Sequence, residues 1–194
     1  FDSDPAGVIA TEMRRDSPQL LEEDNFQIIL DTFRDMRSGY MFVTSPLGAK
    51  LEQQIFDEGA GNVRGGSAAN INRDWNGVWD AAARRTTEGW EAEIVIPMVT
   101  VRSPETDVQA WGLNFMRTIR RKNEQVYWAP IPKPYGLTRV SEAGTLSGMT
   151  GVTRASNDGL GSPSMYPPID NAFPDSNCRM KIFSLLSVEN DFSG

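Results

Sequence analysis

Gly89-Trp90-Glu91-Ala92-Glu93-Ile94-Val95-Ile96-Pro97 decides the fold. Trp90, Ala92, Ile94 and Ile96 fall on one face and Glu91, Glu93 and Val95 on the other, the period-2 alternation of a strand with one buried side. Gly89 opens the run, and Pro97, which cannot donate to a sheet ladder, closes it. Trp111-Gly112-Leu113-Asn114-Phe115-Met116-Arg117 repeats the pattern, with Trp111, Leu113 and Phe115 sharing a face and Asn114 on the other. Two such strands in succession predict an antiparallel sheet with a packed side and a wetter side, and the wetter side is where function is expected.

The flanking sequence extends the same architecture. Upstream, Val8 to Arg14 alternates and is predicted as a strand entered from a turn, and Ser17-Pro18 predicts a short helical turn. Phe26 to Phe33 is apolar on both faces, as a central strand is. Arg34 to Gly39 reads as a hairpin connection returning through Tyr40 to Thr44, and Ala49 to Phe56 as another strand. Residues 57–73 are rich in Gly, Asn, Ala and Ser and predict a long surface loop, whereas 74–85 predicts a strand. Downstream, Ser103-Pro104-Glu105 predicts a first helical turn, 125–129 a strand and 144–152 a short closing strand. The result is an all-β, antiparallel, jelly-roll-like sandwich over 1–152. Residues 153–194, dense in Ser, Asn, Gly and Pro, predict an extended, mostly irregular arm. That arm carries a partner-docking set, Tyr166, Phe173, Ile182, Phe183, Leu185 and Leu186, because apolar residues without a core of their own require a surface to cover them.

Composition narrows the chemistry. At 194 residues, 39% hydrophobic with nine Phe and five Trp, the chain is long enough to bury a core. It contains no histidine, which excludes His-dependent catalytic triads and His-ligated zinc. Its one cysteine, Cys178, cannot form an internal disulfide. A formal charge of −7 argues against non-specific nucleic-acid binding. No run of 18 or more apolar residues is present, so the sequence predicts no transmembrane helix, and peripheral membrane association stays open. The chain begins at Phe1 without a basic-then-apolar leader, so a signal peptide, anchor or earlier strands are expected to precede it.

Taken in order, Asp24-x-x-Gln27-Ile28-Ile29-Leu30-Asp31-Thr32-Phe33, Tyr40-x-Phe42, Pro46-x-Gly48, Trp79-Asp80, Gly89 to Pro97, Trp111-Gly112-x-Asn114-Phe115 and Arg120 to Pro132 resemble the family-9-like carbohydrate-binding domain. They are most similar to the version at the amino end of exported bacterial proteins that continue into an outer-membrane-type barrel. The resemblance implies a β-sandwich, export to the periplasm or the periplasmic or outer surface of a bacterial membrane, and sugar binding without catalysis.

Family-9 modules grip a sugar between tryptophans, so the resemblance implies a site drawn from Trp75, Trp79 and Trp128, with Asn76, Asn114 and Gln125 to bond hydroxyls. The alternative for each tryptophan is burial in the core, the expected place of Trp90 and Trp111. No cofactor is expected, although Asp24, Asp31 and Asp35 could converge on a structural Ca²⁺. Glu91 and Glu93, about 6.6 Å apart along a strand, match a glycosidase carboxylate pair in type, but alternation on a solvated sheet face explains them. Arg117, Arg120, Arg121 and Lys122 form the one basic cluster, facing an anionic partner or simply tipping a hairpin. Two functions stay open at this point: a sugar-binding module, and an accessory subunit docking through its arm onto a larger membrane-associated complex.

Overall fold

Ten strands are present in a computed structural model that describes residues 4–60, 70–150 and 179–184. They are β1 (Asn25–Asp31), β2 (Gly39–Thr44), β3 (Lys50–Ile55), β4 (Ile71–Asn72), β5 (Asp80–Thr86), β6 (Gly89–Pro97), β7 (Val108–Ile119), β8 (Glu124–Tyr127), β9 (Gly144–Thr150) and β10 (Arg179–Ser184). One sheet runs β4-β3-β2-β1-β7-β8, with β9 also on β7, and the other runs β10-β6-β5. Every pairing is antiparallel. The molecule is an antiparallel β-sandwich.

The alternation in the deciding stretch sets how the layers meet. Trp90, Ala92, Ile94 and Ile96 of β6 pack into one cluster with Phe26, Ile28 and Leu30 of β1, Phe42 of β2, and Trp111 and Leu113 of β7. Because β1 is buried at all seven positions, its other face needs a cover as well. Leu20, from the helical turn Pro18–Glu22, supplies it together with Leu137 and Val140, over Ile29, Met41, Val43, Leu51 and Met116. The face of the larger sheet expected to be wet is therefore a second core. Burying apolar side chains on both faces is what fixes the register of a central strand, since a one-residue slip would exchange the two sets.

Other sequence expectations also change. Residues 8–14 form no strand. Instead the backbone N–H of Ile9 donates to Asp24 Oδ2 at 2.8 Å and that of Thr11 to Glu23 Oε2 at 2.7 Å. Side-chain carboxylates replace the carbonyls of a neighbouring strand, so the alternation was real but its ladder was not. Residues 103–105 are not helical, the helical turn of that crossover being Met98–Thr100. The strand expected from 74 begins only at Asp80, which leaves Trp75 to Trp79 in a connection.

The apolar patch near the end becomes β10. Its register on β6 places Met180 opposite Ile96, Ile182 opposite Ile94 and Phe183 opposite Glu93. Ile182 and Phe183, expected to dock on a partner, lie in a strand hydrogen-bonded to the chain's own sheet. Tyr166, Phe173, Leu185 and Leu186 lie outside the described residues.

Candidate functional site

Where β1 ends, β2 begins and β3 ends, the sheet edge opens into a cleft of about 490 Å³. Thr32 and Phe33 enter it from the β1–β2 connection, Gly39 and Tyr40 from β2, Gln54 and Ile55 from β3, and Phe56 from just beyond it. Trp75 closes one side, and Thr100 and Arg102 come from the β6–β7 crossover. Trp75 is half-buried, its ring 5.0 Å from that of Tyr40 and 5.8 Å from that of Phe42. Phe33 and Phe56 are exposed at 49% and 45%, an unusual degree for two neighbouring phenylalanines and the reason the cleft has an apolar rim.

Hydrogen bonds hold this frame. Asp31, at the last position of β1, accepts the backbone N–H of Met36 at 2.8 Å and of Asp35 at 3.2 Å, which sets the loop carrying Phe33. Burial raises the Asp31 carboxyl above its usual range against the pull of those bonds. Asp35 in turn accepts the N–H groups of Arg37 and Ser38, both at 2.8 Å. Across the cleft, Tyr40 Oη accepts the backbone N–H of Arg102 at 3.2 Å, and the Thr32 hydroxyl donates to the carbonyl of Arg102. Thr100 holds Val78 by the same kind of bond.

Trp75 is thus the sequence-selected residue that the structure puts in a cleft. Trp79 is core: 3% exposed, it donates from Nε1 to Glu52 Oε2 at 2.9 Å and packs edge-on against Phe42. Asn114 is 1% exposed, and its amide stands in for a strand. Nδ2 donates to the carbonyl of Ala129 at 3.0 Å, and Oδ1 accepts the N–H of Ala129 at 2.9 Å. Those bonds bridge the stretch of β7 between its β8 and β9 pairings, and with the N–H of Phe115 also donating to Oδ1 at 2.8 Å the buried amide serves the backbone and not a sugar hydroxyl. Asn76 is exposed but accepts from Arg15 at 2.6 Å.

Trp128 is 58% exposed and sits apart from the cleft, edge-on to Phe115 with ring centroids 5.8 Å apart. A Cβ on Gly144 would come within 2.5 Å of its ring, so the indole lies against bare backbone. Between Trp128 and Trp75 run β1 and β7, and the two indoles do not form a clamp. Gln125, two residues from Tyr127 and hydrogen-bonded to its hydroxyl, belongs with Tyr127 to the other face, where Tyr127 packs on the second core.

The remaining candidates resolve into structural roles. Asp24 and Asp31 flank β1, about 23 Å apart for a strand of that length, and with Asp35 they are taken up by backbone donors. Among the described residues no group of three or more Asp, Glu, His or Cys is placed to hold a metal. Glu91 pairs across the strands with Arg84 at 2.7 Å, as expected of a solvated face. The basic cluster is dispersed: Arg117 is buried, Arg120 lies 3.8 Å from Glu22 and Arg121 lies 3.9 Å from Asp4. The sequence reading missed Phe33, Phe56, Gln54 and Arg102. Phe33 was the legible one, since it continues the apolar run past Asp31, where the strand ends and a core place ends with it.

No protein-family model matches the chain, and no curated protein matches its sequence. Its fold is similar to that of a crystal structure, at 2.70 Å resolution, of a provisionally named carbohydrate-binding protein from Bacteroides uniformis. The likeness has a TM-score of 0.54 at 18% identity and covers 72% of this chain and 67% of the other. At that identity the likeness speaks to the sandwich itself.

Proposed function

We propose that this chain is a non-catalytic carbohydrate-binding module of an exported protein and that its sugar site is the cleft beside Trp75. The observation that carries the proposal is the cleft's composition: an indole and two exposed phenyl rings around the amide of Gln54 and hydroxyls of Thr32, Ser38 and Thr100. Flat apolar surface for the C–H face of a sugar ring, with a few polar groups for its hydroxyls, is the chemistry such recognition needs. Its volume of about 490 Å³ lies in the range of small-molecule sites. The sandwich shared with the Bacteroides uniformis protein supports the same class of function.

A glycan array followed by calorimetry tests the reading. Phe56→Ala and Phe33→Ala should each weaken binding of the best glycan, and Trp128→Ala should leave it unchanged. Loss of binding in Trp128→Ala alone would move the site to the exposed indole on Gly144.

A further inference from the structure

The cleft has one charged side chain, Arg102, and no carboxylate among its lining residues. In a chain with 26 acidic and 19 basic residues that is a local inversion of charge. Arg102 is also held differently from its neighbours. Its peptide is fastened on both sides, by Tyr40 at the N–H and by Thr32 at the carbonyl. Its exposed guanidinium makes no ion pair with any described residue. Arg14, Arg15, Arg37, Arg84 and Arg139 all pair with carboxylates. A pinned backbone and an unpaired planar fork at an aromatic cleft are the parts needed to bind a carboxylate in a fixed direction.

We infer that the cleft takes an acidic saccharide, a uronate, with the sugar ring on the Trp75, Phe33 and Phe56 surface and its carboxylate on Arg102. This rests on the sugar-binding reading above and adds the substrate class. The fork geometry gives the selectivity: two parallel N–H groups meet the two oxygens of a carboxylate, and a neutral hydroxymethyl group offers one oxygen in the same place. Because Arg102 is exposed, the gain is moderate and should shrink as salt is raised.

The test is calorimetric titration with oligogalacturonate, oligomannuronate and hyaluronan fragments, each beside its carboxyl-reduced, neutral counterpart of equal length. At least one acidic ligand should bind about tenfold tighter than its counterpart. Arg102→Gln should erase that difference without changing the unfolding midpoint, and Arg102→Lys should retain part of it. Equal binding of acidic and neutral forms overturns the inference and leaves the module reading intact, as does a preference that survives Arg102→Gln. Tighter binding of a sugar phosphate than of any uronate also overturns it. Binding of no glycan at all overturns both.

Discussion

At the end of the sandwich where β1 begins, the carboxylates of Glu12 and Glu23 are enclosed in hydrogen bonds from Thr11, Arg14 and Ser17. At the end where β1 finishes, the exposed Phe33 and Phe56 line a cleft together with Arg102, and no carboxylate is among its lining residues. Both ends face the same problem, since strands stop there and leave backbone groups and loop residues near water. The first end solves it locally: the Arg14 side chain holds Glu12 well below the usual carboxylate range. Burial pushes Glu23 up, but the Thr11 hydroxyl and the N–H groups of Thr11 and Glu12 outweigh it, so its carboxyl is lowered. The second end spends the side chains of Thr32, Tyr40, Asp31 and Asp35 on holding the backbone of Arg102 and the Phe33 loop, and leaves the Phe33 and Phe56 rings and the Arg102 guanidinium exposed. Both ends consume polar groups, and the second end also keeps two aromatic rings and one guanidinium in water.

Breaking the consumed network should produce the largest effects. Glu52 is fully buried and receives both Trp79 Nε1 and Arg15. Glu52→Ala leaves a buried indole donor unpaired and should lower stability by on the order of 3 kcal/mol in urea unfolding. Asn114→Ala removes both bonds to Ala129 and should cost about 2 kcal/mol. The same measurement checks it, with a change in Trp128 emission as that loop shifts.

At the open end the expected pattern reverses. Phe56→Ala should change stability by less than about 0.5 kcal/mol, yet lower sugar affinity by about 1 kcal/mol, roughly fivefold. A large loss of stability in that variant would mean the ring is core and the two ends do not differ as described.

The smallest effect is in pH dependence, where Glu23 and Asp31 contribute with opposite sign. Glu23 is lowered on folding, so its contribution is present above the ordinary value of 4.5 and lost as pH falls through the folded value. Asp31 is raised, so its contribution is present below 3.8 and lost as pH rises through its folded value. Unfolding free energies from about pH 6 to about pH 3 should fall less steeply toward acid in Glu23→Gln than in the unchanged chain. An unaltered slope would show that Glu23 is not lowered.

The strands were legible because their signal is local. Gly89 to Pro97 carries its own alternation and its own punctuation, and β6 has those bounds. The cleft was less legible because its parts come from five separate stretches that meet where β1 and β3 end and β2 begins. Nothing in the spacing of Phe33, Gln54, Phe56, Trp75 and Arg102 marks them as neighbours. Trp75 and Trp79 look alike in sequence, yet one found a carboxylate beneath the sheet and the other stopped at the edge. Asn114 misled for a related reason: on an alternating strand an amide reads as solvent-facing, and here it replaces missing ladder bonds.

The most direct test is a ¹⁵N–¹H spectrum of the tryptophan indoles during titration with uronate oligosaccharides. The five indoles report separately on the core, the cleft and the exposed platform. Movement of the Trp75 signal with the backbone amides of Phe33, Phe56 and Arg102, while Trp128 stays fixed, is the predicted result. Movement of Trp128 with Trp75 unchanged would contradict it.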